Sequence, residues 1–318
     1  MDHLTNTAPQ QPIDHQVLVV GEALIDVVAS AEGSISHPGG SPANVAFGLG
    51  RLGAEVGLLT ALGDDDFGDR IQEHLRTAQV RLLPGCVSLP RTASATAVLG
   101  DDGSARYEFD INWDLAPRTL EPLPKILHAG SIATFLEPGA AAVAALLEQA
   151  KGRCLVTYDP NIRPALLGAH DQAQATFERM AQLCDLVKLS DEDAAWLYPD
   201  LDAAQAVGRI LELGVSLVVL TRGAAGSTFS TAEDQVEIPA VPSQVADTIG
   251  AGDAFMSALL YGLLHQGNLR LDPLALAELG RTSAAAAALA VRRPGAMPPT
   301  IDELAVLLDE ESSSPVRG

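Results

Sequence analysis

Residues 185–221 read DLVKLSDEDAAWLYPDLDAAQAVGRILELGVSLVVLT, and the fold turns on how this stretch is parsed. Its ends, "DLVKLS" (Asp185–Ser190) and "SLVVLT" (Ser216–Thr221), are short runs rich in leucine and valine. Between them, "LDAAQAVGRILELG" sets its apolar residues at helical spacing. Strand, helix and strand in this order make the unit from which parallel sheets are built. Strands apolar on both faces suit a sheet covered by helices on either side.

The same alternation extends outward. Further candidate strands are "QVLVVG" (Gln16–Gly21), "EVGLLTA" (Glu55–Ala61), "KILHAG" (Lys125–Gly130) and "CLVTYD" (Cys154–Asp159). From Lys125 onward the candidate strands recur about every 30 residues, the length of a strand–helix–strand unit. "PGAAAVAALLEQA" is one of the helical segments between them. The expectation is an α/β doubly wound sheet, with ligands beyond the C-terminal ends of its strands.

Two segments break the pattern. Residues 27–38 read as extended chain with turns, and residues 92–112 as a hairpin around "GDDGS". Together they predict a small antiparallel sheet, a lid drawn from segments 27–38 and 88–114, or else two surface loops. Exposed lid edges would suit a homodimer. Towards the C-terminus, "PLALAELGRTSAAAAALAV" predicts a long helix and "IDELAVLLDE" a short final one. Residues 1–14 and 311–318 read as disordered tails around one domain, 15–310.

Composition narrows the function. The chain has 318 residues, 47% of them hydrophobic, enough for a large core. With 41 acidic against 20 basic residues the net charge is −21, which disfavours nucleic acid and anionic membrane surfaces as partners. The three cysteines, Cys86, Cys154 and Cys184, show neither disulfide nor zinc spacing. The N-terminal residues lack a signal core, and no run reaches the ~20 apolar residues of a membrane span. The expectation is a soluble cytoplasmic protein.

Two glycine sites carry the chemistry. "DTIGAGDAF" (Asp247–Phe255) precedes an apolar run at helical spacing, which puts Gly250, Ala251 and Gly252 at a helix N-terminus. Such a turn presents free N–H groups and a favourable dipole to an anion such as a phosphate. It also serves simply to start a helix. Asp253 beside it is either a helix cap or a base that accepts the proton of a hydroxyl attacking phosphorus. The second site is "GGSPAN" (Gly39–Asn44), in which Ser41 suits a helix cap and Pro42 the first helical position. Asn44 either binds ligand hydroxyls or faces solvent. Other phosphate designs are missing: there is no GxxxxGK[ST], no GxGxxG after the first strand, and no HExxH.

Together, "GGSPANVAFGLGRLG" and "DTIGAGDAFMSALL" resemble the two signature regions of the ribokinase-like (PfkB-type) carbohydrate kinase family, in the same order and at the same wide separation. "VVGEALIDVV", "YDPNIRP", "VKLSDED" and "LTRGAAGS" fall where that family has its other marks. The resemblance covers residues 16–305, and "GEALIDVV", "GGSPANVA" and "DPNIRPALL" are most similar to bacterial fructokinases.

The resemblance implies a three-layer α/β/α core with a β-sheet lid, ATP with Mg²⁺, and transfer of the γ-phosphoryl to a sugar hydroxyl. It gives Asp253 the role of base, with Gly250, Ala251 and Gly252 as the anion hole. Asp26, Gly40, Ser41 and Asn44 would bind sugar. Arg163, after a strand end in "DPNIR", either makes bidentate contacts to a phosphate or sugar acid or forms a surface salt bridge. Thr221, Gly223, Gly226, Ser283 and Lys188 fall on the nucleotide side. Asp193 stands where an acid orders Mg²⁺-bound water. Asp247, Ile249, Ala290, Arg293 and Gly295 match a monovalent-cation site that would take K⁺. Three departures matter. Ser41 replaces the lysine of ribokinases, Ser190 and Asp193 replace an Asn-x-x-Glu pair, and "YEFDINWDLAP" lacks the lid arginine of many fructokinases. Trp113 in that stretch would contact sugar or close the lid core. Fructose, phosphorylated at a terminal hydroxymethyl, is the expected acceptor. 2-Keto-3-deoxygluconate, ribose and nucleosides are alternatives, as is a sugar sensor without turnover.

Overall fold

A computed structural model of the chain describes residues 15–30, 33–99, 105–267, 269 and 272–313. The tails 1–14 and 314–318 and the hairpin tip at 100–104 lie outside them.

The chain enters on β1 (Val17–Val20), then leaves the core for β2 (Leu24–Ser30) and β3 (Gly33–Gly39). Helix α1 (Ser41–Arg51) returns it to β4 (Val56–Leu59). There follow β5 (Leu62–Gly63), α2 (Asp66–Thr77), β6 (Arg81–Leu82) and β7 (Val87–Leu89), then a second excursion through β8 (Ser94–Leu99) and β9 (Ala105–Asp110). Strand and helix next alternate: β10 (Ile126–Gly130), α3 (Gly139–Ala150), β11 (Leu155–Asp159), α4 (Pro164–Leu167), α5 (His170–Ala181) and β12 (Leu186–Ser190). Then come α6 (Asp191–Leu197), α7 (Ala203–Glu212), β13 (Leu217–Thr221), β14 (Ser227–Ser230) and β15 (Gln235–Ile238). Three helices close the fold: α8 (Ala251–Gln266), α9 (Pro273–Ala290) and α10 (Ile301–Ser313). Residues 311–313, expected in a tail, thus belong to the last helix.

The core is a nine-stranded sheet in the order β15-β14-β13-β12-β11-β10-β1-β4-β6. The pairs from β13 across to β6 are parallel, and only the β14–β15 edge runs antiparallel. Every residue of β1 is buried, and its side chains alternate between two cores. Leu18 and Val20 join Val156, Tyr158 and Phe177 on one face; Val17 and Val19 join Phe47, Leu58, Met256 and Leu259 on the other. Period-two alternation into two apolar layers is what makes three layers of α/β/α. Fully burying such a side chain contributes about 1.5–3 kcal/mol. Strand order reverses between β1 and β10, so the crevice at their C-terminal ends is the expected ligand site. Among the described residues no helix is long and apolar enough to cross a membrane.

The lid exists but differs from its sequence outline. Its four strands run β3-β2-β8-β9. The two outer pairs are antiparallel, whereas β2 and β8 are parallel (Asp26 opposite Ala95), so the sheet is mixed. The reason is topological: each hairpin is local, but the core lies between them in the chain. Residues 88–93 and 111–114 are not lid strands, and β7 pairs with β5 in a separate two-stranded sheet. Trp113 is a core residue. It is 3% exposed, its Nε1 donates to Ala133 O at 3.0 Å, and its ring abuts Gly139. It therefore closes neither the lid nor a sugar pocket.

Candidate active site

Helix α8 begins at Gly250, which takes the left-handed conformation (φ 76°) that favours glycine. A Cβ there would also meet Ala296 at 2.6 Å. Asp247 pins the turn: Oδ1 accepts from Ile249 N at 3.0 Å and Oδ2 from Gly295 N at 2.8 Å. These bonds hold its carboxyl below the usual range. Asp247 thereby joins the two segments predicted to line a cation site. In the second of them, Ala290 O and Gly295 O accept the N–H groups of Arg293 and Met297. Of the expected anion hole, Ala251 N–H already makes a turn bond to Thr248 O at 3.3 Å. The N–H groups of Gly250, Gly252 and Asp253 also belong to the helix start, where they have no helical acceptor.

Asp253 lies in the first turn of α8, and α1 grips both its oxygens. Ser41 Oγ donates to Oδ1 at 2.6 Å, and Asn44 Nδ2 donates to Oδ2 at 2.9 Å. Ser41 and Asn44 are three residues apart on one helix and share a face. Ser41 is thus not the cap expected from sequence. Gly40 occupies that position and, having no side chain, makes no side-chain cap bond, while Ser41 turns its hydroxyl to the neighbouring helix. Gly40 has φ 94°, and a Cβ on it would press on Glu22 O at 2.7 Å. Asp26 reaches the same loop: a Cβ at Gly39 would sit 2.0 Å from its Oδ2. Burial pushes the Asp26 carboxyl up, and Arg163 and His37 pull it partly back. Arg163 is exposed, with Nη1 donating to Ile162 O at 3.0 Å.

Three groups at the strand ends escaped the sequence reading. Glu22, just after β1, is 3% exposed and accepts from Ala133 N through Oε2 at 3.1 Å. Burial pushes its pKa up to about 8, with the Ser131 and Ala133 bonds opposing. Ser131, after β10, holds a left-handed φ of 57°. Asp159, the last residue of β11, pairs with Lys188 of β12 at 2.8 Å. The signal was present, because all three stand at a strand's C-terminal end.

Asp193 is buried, and both oxygens serve backbone N–H groups: Ile162 at 2.8 Å and Ser190 at 3.0 Å. It closes a capping box on α6 and ties the loop after β11 to it. Among the described residues no cluster of three His, Cys, Asp or Glu side chains could hold a metal. Thr221 ends β13, and Gly223 and Gly226 form the turn to β14. Ser283 departs from expectation: it is fully buried, and its Oγ bonds back to Leu279 O at 2.7 Å, so it presents no polar atom to a ligand.

A carboxylate in the first turn of a helix, held by two side chains of a neighbouring helix beside the first-turn N–H groups, suits phosphoryl transfer in an α/β/α fold. The chain belongs to the pfkB family carbohydrate kinases, whose signature matches residues 14–303. It is a phosphotransferase that uses ATP and acts on a sugar hydroxyl. Among curated proteins, a fructokinase of Rhizobium leguminosarum bv. trifolii is 35% identical, over 78% of this chain and 79% of its own. Two solved structures are similar throughout. One is a fructokinase double mutant from Vibrio cholerae O395, bound to fructose, ADP and potassium ion (TM-score 0.78, 27% identity, 93% and 99% of the two chains). The other is an aminoimidazole riboside kinase from Salmonella enterica, complexed with aminoimidazole riboside and an ATP analog (TM-score 0.78, 28% identity, 92% and 99%).

Proposed function

We propose that the protein is a fructokinase, phosphorylating a terminal hydroxymethyl of fructose from MgATP. The observation that carries this reading is the grip of Ser41 and Asn44 on Asp253. A carboxylate oxygen accepts more than one hydrogen bond, so a sugar hydroxyl can join Ser41 at Oδ1. Asp253 then takes its proton during in-line attack, while Gly252 and Asp253 N–H groups face the transferring phosphoryl. Asp26, Gly40 and Asn44 hold the other hydroxyls, and closure of the lid excludes water as a competing acceptor. Thr221, Gly223 and Gly226 line the nucleotide side.

Among the described residues the acids do not form a metal cage. Mg²⁺ would therefore arrive on the phosphates and keep its waters, with Asp193 in reach only through them. The segments joined by Asp247 suit a monovalent cation, and the apolar lid residues Val28 and Ile35, 41% and 65% exposed, suit a dimer. The similarity to fructokinases, 35% identity for that of Rhizobium leguminosarum bv. trifolii, supports fructose as the acceptor, while the riboside kinase structure shares the fold at 28% identity. The second reading, a sugar-acid kinase, draws on the Arg163 charge beside Asp26. A coupled ADP-release assay with fructose, 2-keto-3-deoxygluconate, ribose and nucleosides tests both. Fructose should give the highest kcat/KM, and preference for the keto acid would overturn the assignment.

A further inference from the structure

A buried ion pair lies behind the glycine turn. Lys188 Nζ donates to Asp159 Oδ2 at 2.8 Å, with side-chain exposures of 6% and 2%. A buried pair is a weak stabiliser, because desolvating two charges offsets their attraction, and apolar residues of similar volume often serve a fold as well. This pair also leaves Asp159 Oδ1 buried without a hydrogen-bond partner among the described residues. An unmet buried acceptor is a cost that a fold does not need.

The position of the ammonium supplies a reason. A Cβ at Gly252 would come within 3.3 Å of Lys188 Nζ. The charge therefore lies directly under the turn, one residue before Asp253. An ammonium has three N–H groups, of which Asp159 takes one. Burial works against its charge, and Asp159, Asp193 and Asp253 more than restore it. The same charge, added to burial, keeps His128 neutral, with a pKa of about 3.

We infer that Asp159 is a positioning residue: it fixes the Lys188 ammonium beneath the glycine turn, where that charge offsets the negative phosphoryl group passing above. The inference rests on the phosphoryl-transfer reading of the site. No proton moves and no bond forms at the pair, which acts through its field in a site that excludes water.

The test is the double variant Asp159→Asn with Lys188→Met, which removes both charges and strands neither. It should melt within a few degrees of the parent and bind fructose as before. Its affinity for MgATP, measured by calorimetry, should fall about 10-fold and kcat about 100-fold, the scale of losing one preorganised electrostatic group. A purely structural pair predicts the reverse: lower melting temperature, with kcat per folded molecule unchanged. A folded double variant with parental MgATP affinity and kcat overturns the inference. If the double variant does not fold, Lys188→Gln alone is read in the same two assays against the same thresholds. If the parent phosphorylates no sugar but its MgATP affinity drops in the variant, the function falls and the pair stands.

Discussion

Asp253 is the residue on which the proposed chemistry depends, and its environment makes that role separable from the fold. Its partners Ser41 and Asn44 sit on another helix, but they donate to oxygens that an amide can partly reproduce. Asp253→Asn should keep the fold and bind fructose within a few-fold, while kcat falls by roughly 10²–10⁴, the usual worth of a general base. Turnover and fructose calorimetry on one preparation check this, and near-native turnover would remove Asp253 from the mechanism. Glu22 makes a different prediction, about pH. Its folded pKa of about 8 lies above the ordinary 4.5. Between those values the unfolded chain has released the proton and the folded chain has not. Stability therefore declines as pH rises from about 4.5 to 8, at up to 1.4 kcal/mol per pH unit for a single site. Glu22→Gln keeps an acceptor for Ala133 N and abolishes that slope. Its melting temperature should match the parent near pH 5 and exceed it near pH 8. Parallel melting curves across that range would show that Glu22 ionises in the fold.

At the scale of elements, the site is an alignment of two helices. Ser41 and Asn44 ride on α1, Asp253 rides on α8, and Gly48 sets the distance between them. A Cβ at Gly48 would lie 2.4 Å from Ser257 Oγ and 2.8 Å from its Cβ. Gly48→Ala should push α1 away, cost about 1–3 kcal/mol as overpacking does, and lower kcat/KM by loosening both bonds to Asp253. Adding Ser257→Gly removes the obstacle and should restore most of the kcat/KM. Unchanged stability and kcat/KM in Gly48→Ala would refute this coupling. The strands of the core were legible in the sequence because each is a continuous apolar run whose character is local. The gripping bonds were not, because a serine before a proline at a helix start satisfies the local rule for a cap whether or not a second helix lies beside it. Trp113 was misread for a similar reason: its place depends on Ala133 and Gly139, which come from a later strand end and helix. Ser283 was placed by resemblance alone, and nothing in an alanine-rich helix says which side is covered.

For the whole molecule, the proposed activity depends on how the lid sheet meets the core. The lid's parallel joint, β2 against β8, could not be read from sequence, since its partners lie far apart in the chain with elements of the core between them. Several contacts hold the lid from outside that sheet, among them the Arg91–Asp110 ion pair at 3.0 Å and a pair of bonds from α2. Arg70 of α2 donates to Ser36 Oγ at 2.7 Å and to Ser36 O at 2.6 Å, tying β3 to the core. Both bonds are exposed, so their net worth is small, about 1 kcal/mol each at most. Losing them should change the population of closed lids rather than the fold. Arg70→Met keeps most of the aliphatic stem and removes the donors. The melting temperature should stay within about 2 °C, as for most surface substitutions. Amides of β2 and β3 should exchange faster with deuterium, because their openings require less free energy. KM for sugar should rise by roughly 3- to 10-fold with kcat nearly constant, since closure is paid for at binding and the closed site is unaltered. ATP hydrolysis without transfer should rise in step, because a lid that opens more often admits water. Unchanged exchange in β2 and β3 would mean that the lid is held by its own sheet and its joint to the core, with Arg70 only resting on it.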